Sequence, residues 1–345
     1  SALSAVNLTR SNLTYEITKD NSDGVHKTET VNLFVQPMTL AGNSTSADNA
    51  TRNIHIYPPE EDIKVKITLA GSAGESFWDH RSWGDESKGG EGGKTVFTYT
   101  LLKNTEYTFK LGCTVEPTAS IGRGGAGAYF YEGGRLLVAC GGGGASGWES
   151  GSNGGHGGGA GVQGQAGSGR GGGEGGIKVN AGELQSGGSH NMGRAANVRS
   201  SGGTPGGKIE SCTTGMYWKD QGIAPCEFMG TGKFRNADGV EVFNTNAFVN
   251  RGYKADTQNY GYRHNGGNST IQKNGTFVGG GGSGAYGGAA CGNLSSGGGG
   301  ASGYTNGSVN LIFGQVGGNR NSQASALIEL LTREGDKMVF LVRGG

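Results

Sequence analysis

The chain has 345 residues, 74 of them glycine, and a formal net charge of +1. Residues of the AVILMFWYC set make up only 33%, too few for an ordinary core in a chain this long, so either much of it is disordered or its interior is packed backbone. Disorder favours high net charge and few aromatics, whereas 12 Phe, 12 Tyr and 4 Trp are spread among the glycine tracts and speak for order. The near-zero charge argues against a nucleic-acid or membrane-surface partner held by a broad basic patch. No run of about 18 apolar residues exists, which excludes a transmembrane helix. The first residue is Ser1, with no hydrophobic leader, as expected of a processed product.

Residues 1–53 are polar and rich in Asn, Ser and Thr, with strands expected at 12–18 and 30–35, and read as a β-rich attachment segment or arm. A body follows over 54–313. In it Ile63, Val65, Ile67 and Leu69 alternate with Lys64, Lys66 and Thr68, the period of a half-buried strand. Residues 96–101 predict another strand, and Tyr107, Phe109, Leu111 and Cys113 alternate in a third. The apolar run 135–140 leads directly into GGGG at 141–144, with further GGGG tracts at 279–282 and 297–300. An aromatic and polar insert occupies about 177–278. Strands are expected at 308–313, 326–331 and 337–342, the last two joined through the turn 332–336, so that 314–345 forms a C-terminal β-hairpin. No sustained 3.6-residue period occurs, and the chain reads as all-β with essentially no α-helix.

One unit occurs twice: residues 141–147 and 297–303 both read GGGGASG, each followed by an aromatic residue, Trp148 or Tyr304. Gly-Ala-Tyr at 127–129 and 284–286, then Ala-Cys-Gly at 139–141 and 290–292, precede the copies in the same order. The two segments are expected to occupy equivalent places in one folded body. Glycine loses more backbone entropy on ordering than any other residue, so such a body must recover it through dense packing and backbone hydrogen bonds. Stacked polyglycine II helices do this: three residues per turn, no internal hydrogen bonds, and every N–H and C=O directed to a neighbour. The expected fold is therefore a glycine-rich, β-sandwich-like body of strands and polyglycine II helices. Collagen fits poorly, with 6 prolines and no sustained G-X-Y period.

The strand block 63–69, the strands of 96–113 and the glycine-rich stretch 122–147 resemble the glycine-rich domains of bacteriophage tail-fibre and tail-tip adhesins. They also resemble, secondarily, the extracellular glycine-rich domain of anaplastic lymphoma kinase and its relatives. The resemblance covers about 60–313. It implies a receptor-binding virion protein that touches a bacterial surface receptor, an outer-membrane protein or a polysaccharide, through variable loops. Its other partners would be tail-fibre subunits, in a homotrimer or as a monomeric cap on a trimeric shaft. The second resemblance implies an extracellular, glycosylated ligand-binding module, with eight Asn-X-Ser/Thr sites available (Asn7, Asn12, Asn43, Asn49, Asn268, Asn274, Asn293 and Asn306). An ice-binding protein is a weaker alternative, against which the irregular charges of 148–176 speak.

Catalytic chemistry has little to stand on. The histidines His26, His55, His80, His156, His190 and His264 show no metal-ligand spacing. No catalytic residue, metal or cofactor is expected, and the chain reads as no enzyme. Binding candidates are aromatic. Trp78 and Trp83 flank a His and an Arg on one loop, suited to stacking on a sugar or peptide or simply to packing over the body. Within the insert Tyr217, Trp218, Tyr253, Tyr260, Tyr262, Arg263 and His264 are of the types that dominate binding hot spots, or else form a satellite core. Of the five cysteines, Cys212 with Cys226 and Cys140 with Cys291 are candidate disulfides, the alternative being small buried hydrophobes.

Overall fold

A computed structural model describes residues 11–19, 27–42, 52–76, 87–112, 124–147, 151–169, 175–176, 281–282, 284–285, 288 and 297–331, and the backbone of short strands between 208 and 277. In chain order the main strands begin with β1 (Asn12–Lys19), β2 (Lys27–Asn32), β3 (Met38–Ala41), β4 (Arg52–Tyr57) and β5 (Ile63–Ala70). They continue with β6 (Gly92–Leu101), β7 (Tyr107–Leu111), β8 (Ala128–Glu132) and β9 (Arg135–Cys140). The insert contributes short antiparallel pairings among β10 (Lys208–Ile209), β11 (Trp218–Lys219), β12 (Cys226–Gly230), β13 (Lys233–Asn236), β14 (Glu241–Phe243), β15 (Gln272–Lys273) and β16 (Thr276–Phe277). Then come β17 (Tyr304–Thr305), β18 (Asn310–Asn319) and β19 (Ser325–Leu330). No helix occurs among the described residues.

Two antiparallel sheets result. One has seven strands in the order β17-β9-β8-β7-β4-β1-β2, the other five in the order β18-β6-β5-β19-β3. The alternation read from the sequence decides which face is inside. Ile63, Val65, Ile67 and Leu69 of β5 are buried, while Lys64 is exposed and Lys66 and Thr68 are half-buried. The inner faces of both sheets meet in one core. At its centre the Phe130 ring lies 4.8 Å from Phe109 and 5.9 Å from Tyr107 on its own sheet, and 5.6 Å from Phe97 and 6.0 Å from Tyr99 on the other. Strands β8 and β9 are buried on both faces, because Tyr129, Tyr131, Leu136 and Ala139 form a second, smaller core with Ala285 and Tyr304. Continuous apolar runs such as RLLVAC are what two-sided burial requires.

At one end of the sheets the strands run directly into glycine-rich segments. Residues 71–76 continue β5, 87–91 lead into β6, 124–127 into β8, 141–147 continue β9, and 297–303 lead into β17. These segments bond to one another with a period of three. Gly71 and Gly74 donate to Gly93 and Gly90, while Ser72 between them donates to Ala126. Gly141, Gly144 and Gly147 donate to Gly158, Gly155 and Ser152; Gly143 and Ser146 donate to Ser72 and Glu75; Gly142 and Ala145 accept from Ala301 and Gly298. Gly297, Gly300 and Gly303 donate to Ser168, Gln165 and Val162. A threefold repeat turns successive residues toward three different neighbours, so every position of a central segment faces backbone. A Cβ on Gly141, Gly142, Gly143 or Gly144 would lie 2.1, 2.3, 1.9 or 2.1 Å from the carbonyl oxygen of Ala301, Gly125, Gly90 or Gly298. This is why four consecutive glycines stand there.

The two GGGGASG copies are hydrogen-bonded antiparallel neighbours. The second residue of each lies opposite the fifth of the other, through Gly298 N to Ala145 O (2.9 Å) and Ala301 N to Gly142 O (3.0 Å). Both bonds are donated by the second copy, so the pairing is only approximately two-fold.

Three expectations about organisation are corrected. The described strands within 1–53 form no separate arm: β1 pairs with β4 inside the first sheet and β3 with β19 inside the second. A boundary between 313 and 314 cuts β18, which continues along β6 to Asn319 through two register shifts. Over Ser325–Ile328 both edges of β19 are taken, by β5 and β3, leaving no place there for a hairpin partner. Residues 332–345, with the expected strand 337–342, lie outside the described residues.

Candidate binding end of the glycine-rich body

The directions of the glycine segments place several loop feet together. Residues 141–147 run parallel to 71–76 and antiparallel to 87–93 and 151–159; 297–303 run parallel to 151–159 and antiparallel to 162–168. The termini 76, 87, 147, 151, 168 and 297 therefore gather at the end of the body away from the sheets. Side chains tie them there. Ser76 Oγ accepts from Gly89 N (2.9 Å), Ser87 and Ser152 hydroxyls lie 3.2 Å apart, Asn153 Oδ1 accepts from Lys88 N (2.9 Å), and Ser168 Oγ donates to Gly151 O (2.8 Å). At this end serine and asparagine side chains close backbone groups that have no further turn to bond to.

Residues 77–86, with Trp78 and Trp83, lie outside the described residues, but the flanking Ser76 and Ser87 both belong to this end. Gly147 and Ser152, which flank 148–150, are joined by Gly147 N to Ser152 O at 2.7 Å. The insert leaves after Gly176, which donates to Gly300 O (2.9 Å), and returns before Gly282, which donates to Gly299 O (3.0 Å). Its two ends are thus held by adjacent residues of one glycine segment.

Trp78, Trp83, Tyr217, Tyr253, Tyr260, Tyr262, Arg263 and His264 themselves lie outside the described residues, as do Cys212 and Cys291. Trp218 is placed by its backbone alone, opposite Ile209 in the β10–β11 pairing, and Cys226 likewise opposite Asn236. Cys140 corrects an expectation. It is a free, fully buried thiol, within hydrogen-bond reach of Leu69 O (3.2 Å) and Thr95 Oγ1 (3.1 Å), and so makes no bridge to Cys291. Burial pushes this thiol up to about 12, although hydrogen bonding to Thr95 opposes the shift.

On the flank of the body Glu91 joins a small polar group. Its carboxylate accepts from Gly318 N (3.0 Å) and pairs with Arg320 (2.6 Å), while its own N–H donates to His156 Nδ1 (2.8 Å). The Gly318 hydrogen bond, with lesser help from Arg320 and His156 and against some desolvation, holds the Glu91 carboxyl below the ordinary range. Gly317 and Gly318, at φ 66° and 112°, make the backbone turn that presents this N–H. Elsewhere, burial pushes the Tyr107 phenol up to about 12, and its oxygen accepts from Leu102 N (2.9 Å). These groups build structure: each partner is a backbone amide or a neighbouring side chain of the fold.

Among the described residues no three His, Cys, Asp or Glu side chains gather as a metal site would require, and no helix is long and apolar enough to cross a membrane. No family model and no curated protein matches the chain.

Sequence reading missed one feature entirely. Leu311, Ile312 and Phe313 on β18 are 40%, 52% and 40% exposed. Three consecutive apolar residues predict burial, so their exposure was not legible without the sheet order.

Proposed function

We propose that the chain is a non-enzymatic receptor-binding protein, of the kind found in phage tail fibres or tips. It would present loops to a bacterial surface receptor from a rigid scaffold. The observation that carries this reading is the gathering of loop feet at one end of a body whose segments are cross-bonded to several neighbours each. Binding loops held by such a scaffold lose less freedom on association, and several copies on one particle would add avidity. The period-three hydrogen bonding and the close backbone contacts of the glycine segments support reading them as polyglycine II helices.

The test is binding of the purified chain to a panel of intact bacterial strains, beside variants lacking 77–86 or 208–265. Saturable, strain-selective binding, lost in one or both deletions while the thermal transition stays, supports the proposal. Absence of binding to every strain, together with glycans on the Asn-X-Ser/Thr sites of the native protein, would replace it with an extracellular ligand-binding module.

A further inference from the structure

Strand β19 delivers the chain to the rim of an open hollow of about 510 Å³. Leu331 N donates to Lys64 O at 3.0 Å, and Leu331 lines the hollow together with Lys64, Thr98, Tyr99, Glu132 and Asn310. On the far side of the hollow begins β18, with Leu311, Ile312 and Phe313 exposed. The register shift between Leu311 and Phe313 leaves Ile312 out of the pairing with β6. This stretch therefore offers apolar side chains rather than a regular row of backbone groups.

The sequence after Leu331 matches it in character. Met338, Val339, Phe340, Leu341 and Val342 are five consecutive apolar residues, a run that is costly to leave in water. Strand β19 offers them no free edge over Ser325–Ile328, where β5 and β3 take both sides. The patch on β18 is within reach. Leu331 lies beside Lys64, Lys64 pairs with Thr100, and Asn310 pairs with Thr98. Three strand spacings, about 14 Å, thus separate the exit of β19 from the start of β18. Residues 332–336 read Thr-Arg-Glu-Gly-Asp and reach up to about 17 Å when extended. Their charges of both signs suit a passage over a hollow lined by Lys64 and Glu132.

We infer that residues 337–342 of this same chain lie over Leu311, Ile312 and Phe313, with 332–336 bridging the hollow. Burial of two apolar surfaces against each other would hold the strap, since the short, shifted stretch of β18 supports little backbone pairing. It would also close this flank of the scaffold to other chains.

The experiment places a photoreactive benzophenone side chain in the full chain at position 312, or at the exposed position 165 of the glycine body as control. Cross-links are mapped by tryptic digestion and mass spectrometry. The expected product joins position 312 to the peptide 338–343 within one chain and does not form from position 165. Phe340→Asp should lower its yield about tenfold, the scale of one hot-spot contact. Hydrogen exchange decides the matter should the benzophenone shift the melting transition. In the chain without a substitution at 312, the Ile312 amide should exchange about tenfold more slowly than after deletion of 332–345. Reaction at 312 with other segments only, or with none, would overturn the inference, as would exchange at Ile312 unchanged by the deletion. A product of twice the chain mass, joined through 338–343 of a second copy, would overturn it in favour of a contact between chains.

Discussion

Replacing Gly143 by alanine tests the packing of the glycine body most directly. The new Cβ would stand 1.9 Å from Gly90 O and 2.3 Å from its carbon, whereas real Cβ contacts do not fall below 3.0 Å. The segments must therefore separate by more than an ångström. Gly143 N donates to Ser72 O at 3.0 Å, Gly143 O accepts from Gly125 N at 2.6 Å, and Gly144 O accepts from Gly90 N at 2.7 Å. A displacement that size breaks two or three of these bonds where little water can replace them, at about 1–3 kcal/mol for each group left unsatisfied. The expected cost is about 3–5 kcal/mol, a large share of a typical 5–15 kcal/mol total. Gly134→Ala is the control, because a Cβ there meets nothing within 4 Å. Thermal and urea unfolding of both variants beside the parent measures the difference. If Gly143→Ala unfolds with Gly134→Ala and the parent, the close backbone contacts are not what requires glycine, and the account of the body is wrong.

Phe130→Ala removes the ring that joins both sheets and should cost about 3–5 kcal/mol in urea unfolding, as large aromatic truncations do; a loss below 1 kcal/mol would mean the core sits elsewhere. Cys140 should resist alkylation at pH 8 in the folded protein and react on unfolding, a contrast that mass spectrometry of the Cys140 peptide reads directly. Because the Glu91 carboxyl is held below its ordinary range in the fold, its contribution to stability is present above that range and is lost as the pH falls through its folded value. Glu91→Gln should therefore be less stable at neutral pH, by up to about 1 kcal/mol for so exposed a pair. Its stability should converge with the parent's in acid, and a gap that persists in acid would assign the effect to lost packing.

The strands were legible where one face is buried and the other wet. Ile63 to Leu69 alternate because β5 has one inner and one outer face, and the apolar run before Cys140 is continuous because β9 is covered on both. Strand β4 and the short β3 were missed. Neither carries a long apolar pattern, and each is held by pairing with residues far along the chain, β4 with β7 and β3 with β19. For the described strands of 1–53 the arm reading failed for the same reason: polar composition says nothing about which sheet edge a strand will fill. Of the binding candidates, the sequence picked out the aromatic residues of loop 77–86 and of the insert, and the structure shows where the feet of those segments are held.

Composition left two readings, disorder or an interior with much packed backbone, and the spread of aromatics among the glycine tracts favoured the second. The repeated GGGGASG likewise announced two related segments in one body. Only the tertiary structure decided that the copies lie side by side and antiparallel, which carbonyl each glycine must clear, and that one apolar stretch of β18 falls outside the core. Those outcomes depend on lateral contacts between segments from under twenty to more than a hundred and fifty residues apart. A glycine has no side chain with which to encode its neighbour, so the sequence can state that close approach occurs but not between which partners.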